Sequence, residues 1–192
     1  MGVSGTECGF DAARLRAART AAGASAARIM RVTGVSERAV SFYLAGSRVP
    51  RPEHLVLLAA AVGVAPADLC VVDQERLAHL RVFTGRSRVR MATVLGMAEA
   101  TYRELENTGH RGRAARARYD PDQDRTLPWQ EWAAPLFGVT PERLAPAEQR
   151  TREHCRAERE RRWARMDERD RARVAAVEVA GRQTRAILHP EG

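Results

Sequence analysis

Gly23-Ala24-Ser25-Ala26-Ala27-Arg28-Ile29-Met30-Arg31-Val32-Thr33-Gly34-Val35-Ser36-Glu37-Arg38 and, 62 residues on, Gly85-Arg86-Ser87-Arg88-Val89-Arg90-Met91-Ala92-Thr93-Val94-Leu95-Gly96-Met97-Ala98-Glu99-Ala100 are two settings of one pattern. In each, a glycine closes one segment, a serine opens an apolar-periodic run, a second glycine supplies a tight turn, and a glutamate follows three residues later. The register extends outward: Leu15 and Arg19 recur as Leu77 and Arg81, and Val40 as Tyr102. A repeat of this length implies one supersecondary unit used twice, built from a capped helix, a glycine-centred turn and a second helix.

Around that core the first unit spans residues 10–70. Asp11 to Ala22 reads as a helix with Leu15, Ala18 and Ala22 inward, and Ala26 to Thr33 as a second with Ile29 and Val32 inward. Ser36 caps a third, running to about Leu44, whose Val40 and Tyr43 or Leu44 anchor it while Glu37, Arg38, Ser41 and Phe42 point out. After the Arg48-Val49-Pro50-Arg51-Pro52 loop, Glu53 to Val62 forms a fourth helix, and a turn at Pro66 to Leu69 closes the unit. With these residues laid out, the segment resembles the Cro/C1-type (XRE-like) helix-turn-helix family, the lambda-repressor-like domain. The motifs carrying it are Leu15-Arg16, Arg19 and Gly23, then Gly34-Val35-Ser36, Val40-Ser41, Gly46, Arg48 and Pro50, and last Gly63-Val64 with Asp68-Leu69.

The resemblance implies that the third helix enters a DNA major groove, Glu37, Arg38 and Phe42 facing base edges. Arg38 suits guanine, Glu37 the cytosine amino group and Phe42 a thymine methyl. Ser25, Ser36, Ser41, Arg48 and Arg51 would hold phosphates. This sequence departs from the family in two places: the usual Gln at the start of the second helix is Ala26, and the acid that usually pairs with the first-helix arginine is Leu44, which leaves Arg19 facing phosphate or solvent.

The second unit, 74–145, keeps that arginine and acid as Arg81 and Glu106. Its outward positions are Glu99, Ala100 and Glu104, with Arg103 beside them, and two carboxylates oppose docking on phosphates. That face reads as a packing or dimer surface. The match Gly63-Val64-Ala65-Pro66 to Gly138-Val139-Thr140-Pro141 lies 75 apart, so thirteen residues are inserted. They include His110 to Arg118, whose Arg111, Arg113, Arg116 and Arg118 make either a minor-groove or backbone-tracking loop or a solvated one. Asp120, Asp122, Asp124 and Glu131 have the spacing of a calcium loop. Arg125 stands where that loop needs glycine, so the alternative is a turn that neutralises neighbouring arginines. Trp129 to Phe137 reads as a core helix.

Residues 146–188 form a charged helix from Pro146 through Ala180, with Glu148/Arg152, Glu158/Arg162 and Asp167/Arg171 at favourable spacing and a fraying end marked by Gly181 and Pro190. Cys155, Trp163, Met166, Val174 and Val177 make a thin apolar stripe that either packs back on the second unit or pairs with a twin chain.

The whole is expected to be all-α, two tandem lambda-repressor-like domains and a long C-terminal helix. Its 192 residues carry a net charge of +8, and all 32 basic residues are arginine, which fits an anionic partner and equally reports a GC-rich genome. Three well-separated cysteines fit reduced thiols, and no signal peptide or membrane-length apolar run is present, so a cytoplasmic, nucleoid-associated bacterial protein is expected. Five scattered histidines without a nucleophile motif argue against an enzyme, and no cofactor is called for. Double-stranded DNA is the expected partner, a homodimer through the second domain and C-terminal helix a possible assembly, and an antitoxin- or adaptor-like interaction module the alternative.

Overall fold

A computed structural model describes residues 8–113 and 115–188, with side chains as far as 177. It is mostly helical, 67% helix and 5% strand. The chain divides into a compact unit ending at Arg152 and a helical unit from Glu153 onward.

In the compact unit, α1 (Ala12–Ala21), α2 (Ala26–Thr33), α3 (Glu37–Ala45) and α4 (Pro52–Val62) lead to a 3-10 turn at Pro66–Leu69. Asp11, Ser25 and Ser36 cap the first three helices, each side-chain oxygen accepting from a backbone N–H two or three residues on. Gly34 ends α2 at φ 67°, a left-handed turn no side chain favours, and so sets α3 across α2. Leu15, Ile29, Val40, Leu55, Leu58 and Leu69 fill the core between them.

Two expected core positions are not buried. Ala22 is exposed and Val32 is 57% exposed. Against Ile29, Thr33 lies one full turn on and keeps the inward phase, whereas Val32 falls to the flank. Thr33 can be buried because its hydroxyl donates to the Ile29 carbonyl at 2.7 Å and accepts from Val35 N–H at 3.2 Å.

The three cysteines are not all apart. A short bridge pairs Phe10 with Cys70, Val71 N–H donates to Gly9 O at 2.8 Å, and Cys8 and Cys70 meet as buried free thiols. Any Cβ on Gly9 would sit 2.2 Å from the Val71 carbonyl oxygen, so only glycine fits.

Next come α5 (Leu77–Phe83), α6 (Arg88–Leu95) and α7 (Glu99–Thr108), again with Ser87 capping and Gly96 turning. Their core holds Leu77, Leu80, Met91, Tyr102 and Leu105, closed by Trp129 and Phe137 of α8 (Trp129–Ala133) and the 3-10 turn that follows it at Ala134–Phe137. Val82, on the other side of α5, is buried with the first core, and α4 lies against α5.

Between α7 and α8 the expected all-helical course is broken by a hairpin, β1 (Arg118–Asp120) against β2 (Arg125–Leu127). The last helix, α9 (Pro141–Leu188), starts one and a half turns before Pro146. Pro141 suits a first turn, and Thr140 O accepts from both Arg143 N–H and Leu144 N–H. Pro146 therefore lies inside the helix, lacking one backbone donor. Leu144, Ala147, Glu148 and Thr151 are fully or almost fully buried, so the first turns of α9 belong to the compact unit that ends at Arg152. At the other end the backbone stays helical through Gly181, and Pro190 lies outside the described residues.

Of the three ion pairs expected along the tail, Asp167 with Arg171 forms. Glu158 takes Arg161 rather than Arg162, and buried Glu148 turns away from Arg152 to Arg111. Among the described residues no helix is long and apolar enough to cross a membrane.

Candidate nucleic-acid interface

Val40 and Tyr43 hold α3 to the core, and that phase leaves Glu37, Arg38 and Ser41 exposed. Phe42 does not project freely. It is half-buried, with the Arg48 guanidinium 4.5 Å and the Arg38 guanidinium 5.5 Å from its ring centroid. The turn after α3 produces this: Ser47 N–H and Arg48 N–H both donate to Phe42 O, at 3.0 and 3.4 Å, and fold the loop back over the ring. A phenyl face between two cations orients both forks at modest cost in freedom.

Below this cluster, the Tyr43 hydroxyl meets His54 Nδ1 at 2.9 Å. Burial pushes the Tyr43 phenol above its ordinary value, opposed by the charges of Arg51 and Arg48. Ser25 Oγ and Ser36 Oγ accept from Arg28 N–H and Ala39 N–H, at 3.1 and 3.4 Å, which leaves each hydroxyl hydrogen to donate outward. Arg51 stands exposed at the N-cap of α4. Arg28, Arg31, Arg38, Arg48 and Arg51 form no ion pair among the described residues.

At Leu44 the tie between α1 and α3 is made through the backbone. Arg16 Nη1 donates to the Leu44 carbonyl at 2.6 Å, next to the C-terminus of α3. Arg19 is half-buried and has no ion pair among the described residues.

In the α5–α7 segment the corresponding tie is ionic and buried. Arg81 Nε meets Glu106 Oε1 at 2.5 Å, Arg88 holds the other oxygen, and the Tyr102 hydroxyl donates to Oε1 at 3.2 Å. Burial, then the Glu106 charge, raises the Tyr102 phenol well above its ordinary range. Glu99, Ala100, Arg103 and Glu104 are exposed on α7, as expected. Arg88 was not singled out from sequence, although the 62-residue offset places it at the Ala26 position. A surface cleft brings Arg51 together with Ser87, Arg88 and Glu99, so the edge of the first arginine cluster adjoins the N-termini of α6 and α7.

The inserted segment is only partly a free cationic loop. Arg111 makes a two-pronged contact with buried Glu148, at 2.8 and 2.6 Å, and Arg118 lies over the Trp132 ring at 3.6 Å while donating to the Leu95 carbonyl. Both guanidiniums are committed to the fold. Arg113 and Arg116 remain exposed, and Ala114 between them lies outside the described residues.

The spacing of Asp120, Asp122, Asp124 and Glu131 builds a hairpin turn rather than a calcium cage. Asp120 Oδ1 caps Asp122 N–H at 3.0 Å, Asp124 accepts from the Tyr119 hydroxyl at 2.6 Å, and Glu131 pairs with Arg125 at 2.8 Å. Among the described residues no group of three or more His, Cys, Asp or Glu could hold a metal ion.

Residues 12–69 match the family described as a helix-turn-helix domain. The match runs from α1 through the 3-10 turn, so α2 and α3 with their Gly34 turn fall within it. No curated protein and no solved structure matches the chain. A helix-turn-helix domain points to DNA as partner and to a regulatory role.

Proposed function

We propose that the chain is a sequence-specific double-stranded DNA-binding protein, a bacterial transcriptional regulator of the XRE-like kind, acting in the cytoplasm by binding rather than by catalysis. One observation carries the reading: within the helix-turn-helix domain, α2, α3 and the loop after them present five exposed arginines that form no ion pair among the described residues. Arg38 and Glu37 read base edges, Arg48 and Arg51 hold phosphates beside Ser25, Ser36 and Ser41, and Phe42 sets the two nearest forks. The α5–α7 segment is read as a second, diverged copy, supported by the repeated caps, the repeated glycine turn and the Arg81–Glu106 tie. It serves packing and assembly, with a homodimer formed through it and the C-terminal helix.

Selection of bound sites from random duplexes at physiological salt tests this. An enriched motif is expected. Arg38→Ala should relax one base position, whereas Arg48→Ala weakens all sequences alike. Recovery of no motif overturns the proposal. The adaptor-like reading is favoured at one place, the acidic outer face of α7 with Glu99 and Glu104. Steep loss of DNA binding with added salt separates the two, because a protein contact there would not release counterions.

A further inference from the structure

Beyond Glu153 the helix carries one seam whose makeup specifies its partner. Cys155, Arg159, Trp163, Met166, Asp170 and Val174 succeed one another by 4, 4, 3, 4 and 4 residues, so they share one face. Trp163, Met166 and Val174 on it are 65%, 47% and 59% exposed. The spacing is a palindrome about the point between Ala164 and Arg165. The chemistry inverts across that point: Trp163 mirrors Met166, Arg159 mirrors Asp170, and Cys155 mirrors Val174.

Neither seam charge is satisfied along its own helix. Arg159 has Arg156, Arg162, Cys155 and Trp163 at three and four residues' distance, none of them acidic, and among the described residues its guanidinium reaches only Cys155 Sγ at 3.7 Å. Asp170 has Arg173 three residues on, yet forms no ion pair with it or with any other of the described residues. Off the seam, by contrast, Glu158 and Asp167 are paired within the helix by Arg161 and Arg171.

We infer that residues 155–174 pair with the same segment of a second copy as an antiparallel two-stranded coil, Arg159 of each chain facing Asp170 of the other. This specifies, and rests on, the twin-chain reading of the C-terminal helix. A two-fold axis at the palindrome's centre sets Trp163 against Met166 of the second copy, and on either side an arginine against an aspartate. A parallel, in-register pair would instead bury Arg159 against Arg159 and Asp170 against Asp170, like charges in the middle of a contact. Opposite charge in the antiparallel form and like charge in the parallel one fix the orientation, as polar residues within a coiled-coil seam do.

The test uses the full-length chain without DNA. Sedimentation should give a dimer that Arg159→Asp and Asp170→Arg each weaken roughly tenfold or more, and that the double variant restores. Val174→Cys should cross-link on mild oxidation through Cys155 of the second copy, identified by peptide mass, since within one chain the two positions lie about 28 Å apart along the helix. A Cys155–Cys155 cross-link would reveal a parallel pair and overturn the inference. So would a dimer indifferent to both reversals, which leaves the twin-chain reading standing, while a monomer at every concentration removes both.

Discussion

Phe42→Ala separates two roles for this residue that predict different losses. If the ring is the platform on which Arg38 and Arg48 are ordered, its removal leaves every charge in place and takes away two cation–π contacts, at 4.5 and 5.5 Å. Contacts of this kind at exposed sites contribute about 0.5–1 kcal/mol each, so DNA affinity should fall by about 1–2 kcal/mol, or roughly 5- to 30-fold. Fluorescence anisotropy over a salt series provides the assay. Because no cation is lost, the slope of log affinity against log salt should match that of the parent, whereas Arg48→Ala should flatten it by about one unit. Phe42→Tyr, which keeps the ring, should bind like the parent. A ring that only touches a thymine methyl would instead lose discrimination at a single base pair and leave other sequences unaffected. That outcome, or a Phe42→Ala variant that binds as the parent does, refutes the platform argument.

Glu106→Leu should cost about 3–5 kcal/mol in urea unfolding, because Arg81, only 3% exposed, is left charged and buried without its carboxylate. Adding Arg81→Met should recover most of that loss, and a double variant as unstable as the single would refute the pair's role. Among the thiols, Cys8 and Cys70, buried and with the Cys70 thiol pushed far up by its hydrogen bond with Cys8 and by burial, should react with an alkylating reagent only on unfolding, whereas half-buried Cys155, set in the proposed dimer seam, should react faster once dilution or Arg159→Asp opens that seam. Cys70 and Tyr102 are both raised from ordinary values of 9.0 and 10.0, so the folded chain keeps protons that the unfolded chain gives up. Their contribution is intact below about pH 9 and is lost as pH rises beyond it, which melting temperatures at about pH 8 and pH 10.5 should reveal as a decline.

What could be read from the sequence was what local chemistry fixes. Ser25, Gly34, Ser36 and Gly46 bound α2 and α3 where expected because a cap or a left-handed turn involves only neighbouring residues. Val32 was misplaced because an eight-residue helix offers too few apolar positions to fix its phase, and a threonine that satisfies its own hydroxyl took the inward place. The hairpin at 118–127 escaped notice because three-residue strands carry almost no alternation, and its aspartates serve turns as readily as cations. The outward set Glu37, Arg38 and Ser41 followed from the phase of α3. The cover of Arg48 over Phe42 did not, since it depends on how the loop after Gly46 folds back.

Least legible was which arginines are available to an anion, and here the α1–α4 and α5–α7 segments differ in a way that bears on the proposed function. Many arginines end on carbonyls or carboxylates far away in sequence: Arg14 on Cys70 O, Arg86 on Leu136 O, Arg118 on Leu95 O, Arg111 on Glu148, Arg143 on Glu75. Net charge counts these equally with Arg38, although a guanidinium held against a helix end has little left to offer a phosphate. At matched positions the contrast sharpens. At an offset of 62 residues Ala26 and Leu44 stand opposite Arg88 and Glu106, so the α5–α7 segment places a cation and an anion where α1–α3 has neither, and joins them in a partly buried pair. That pair is directed inward, and the outer face of α7 carries Glu99 and Glu104 with Arg103 beside them. The α1–α4 segment ties α1 to α3 through a backbone carbonyl and leaves the arginines of α2, α3 and the following loop facing water. On the proposed function, duplex DNA would therefore dock on the α1–α4 segment, whose exposed arginines form no ion pair among the described residues, rather than on α7, whose outer face carries two carboxylates.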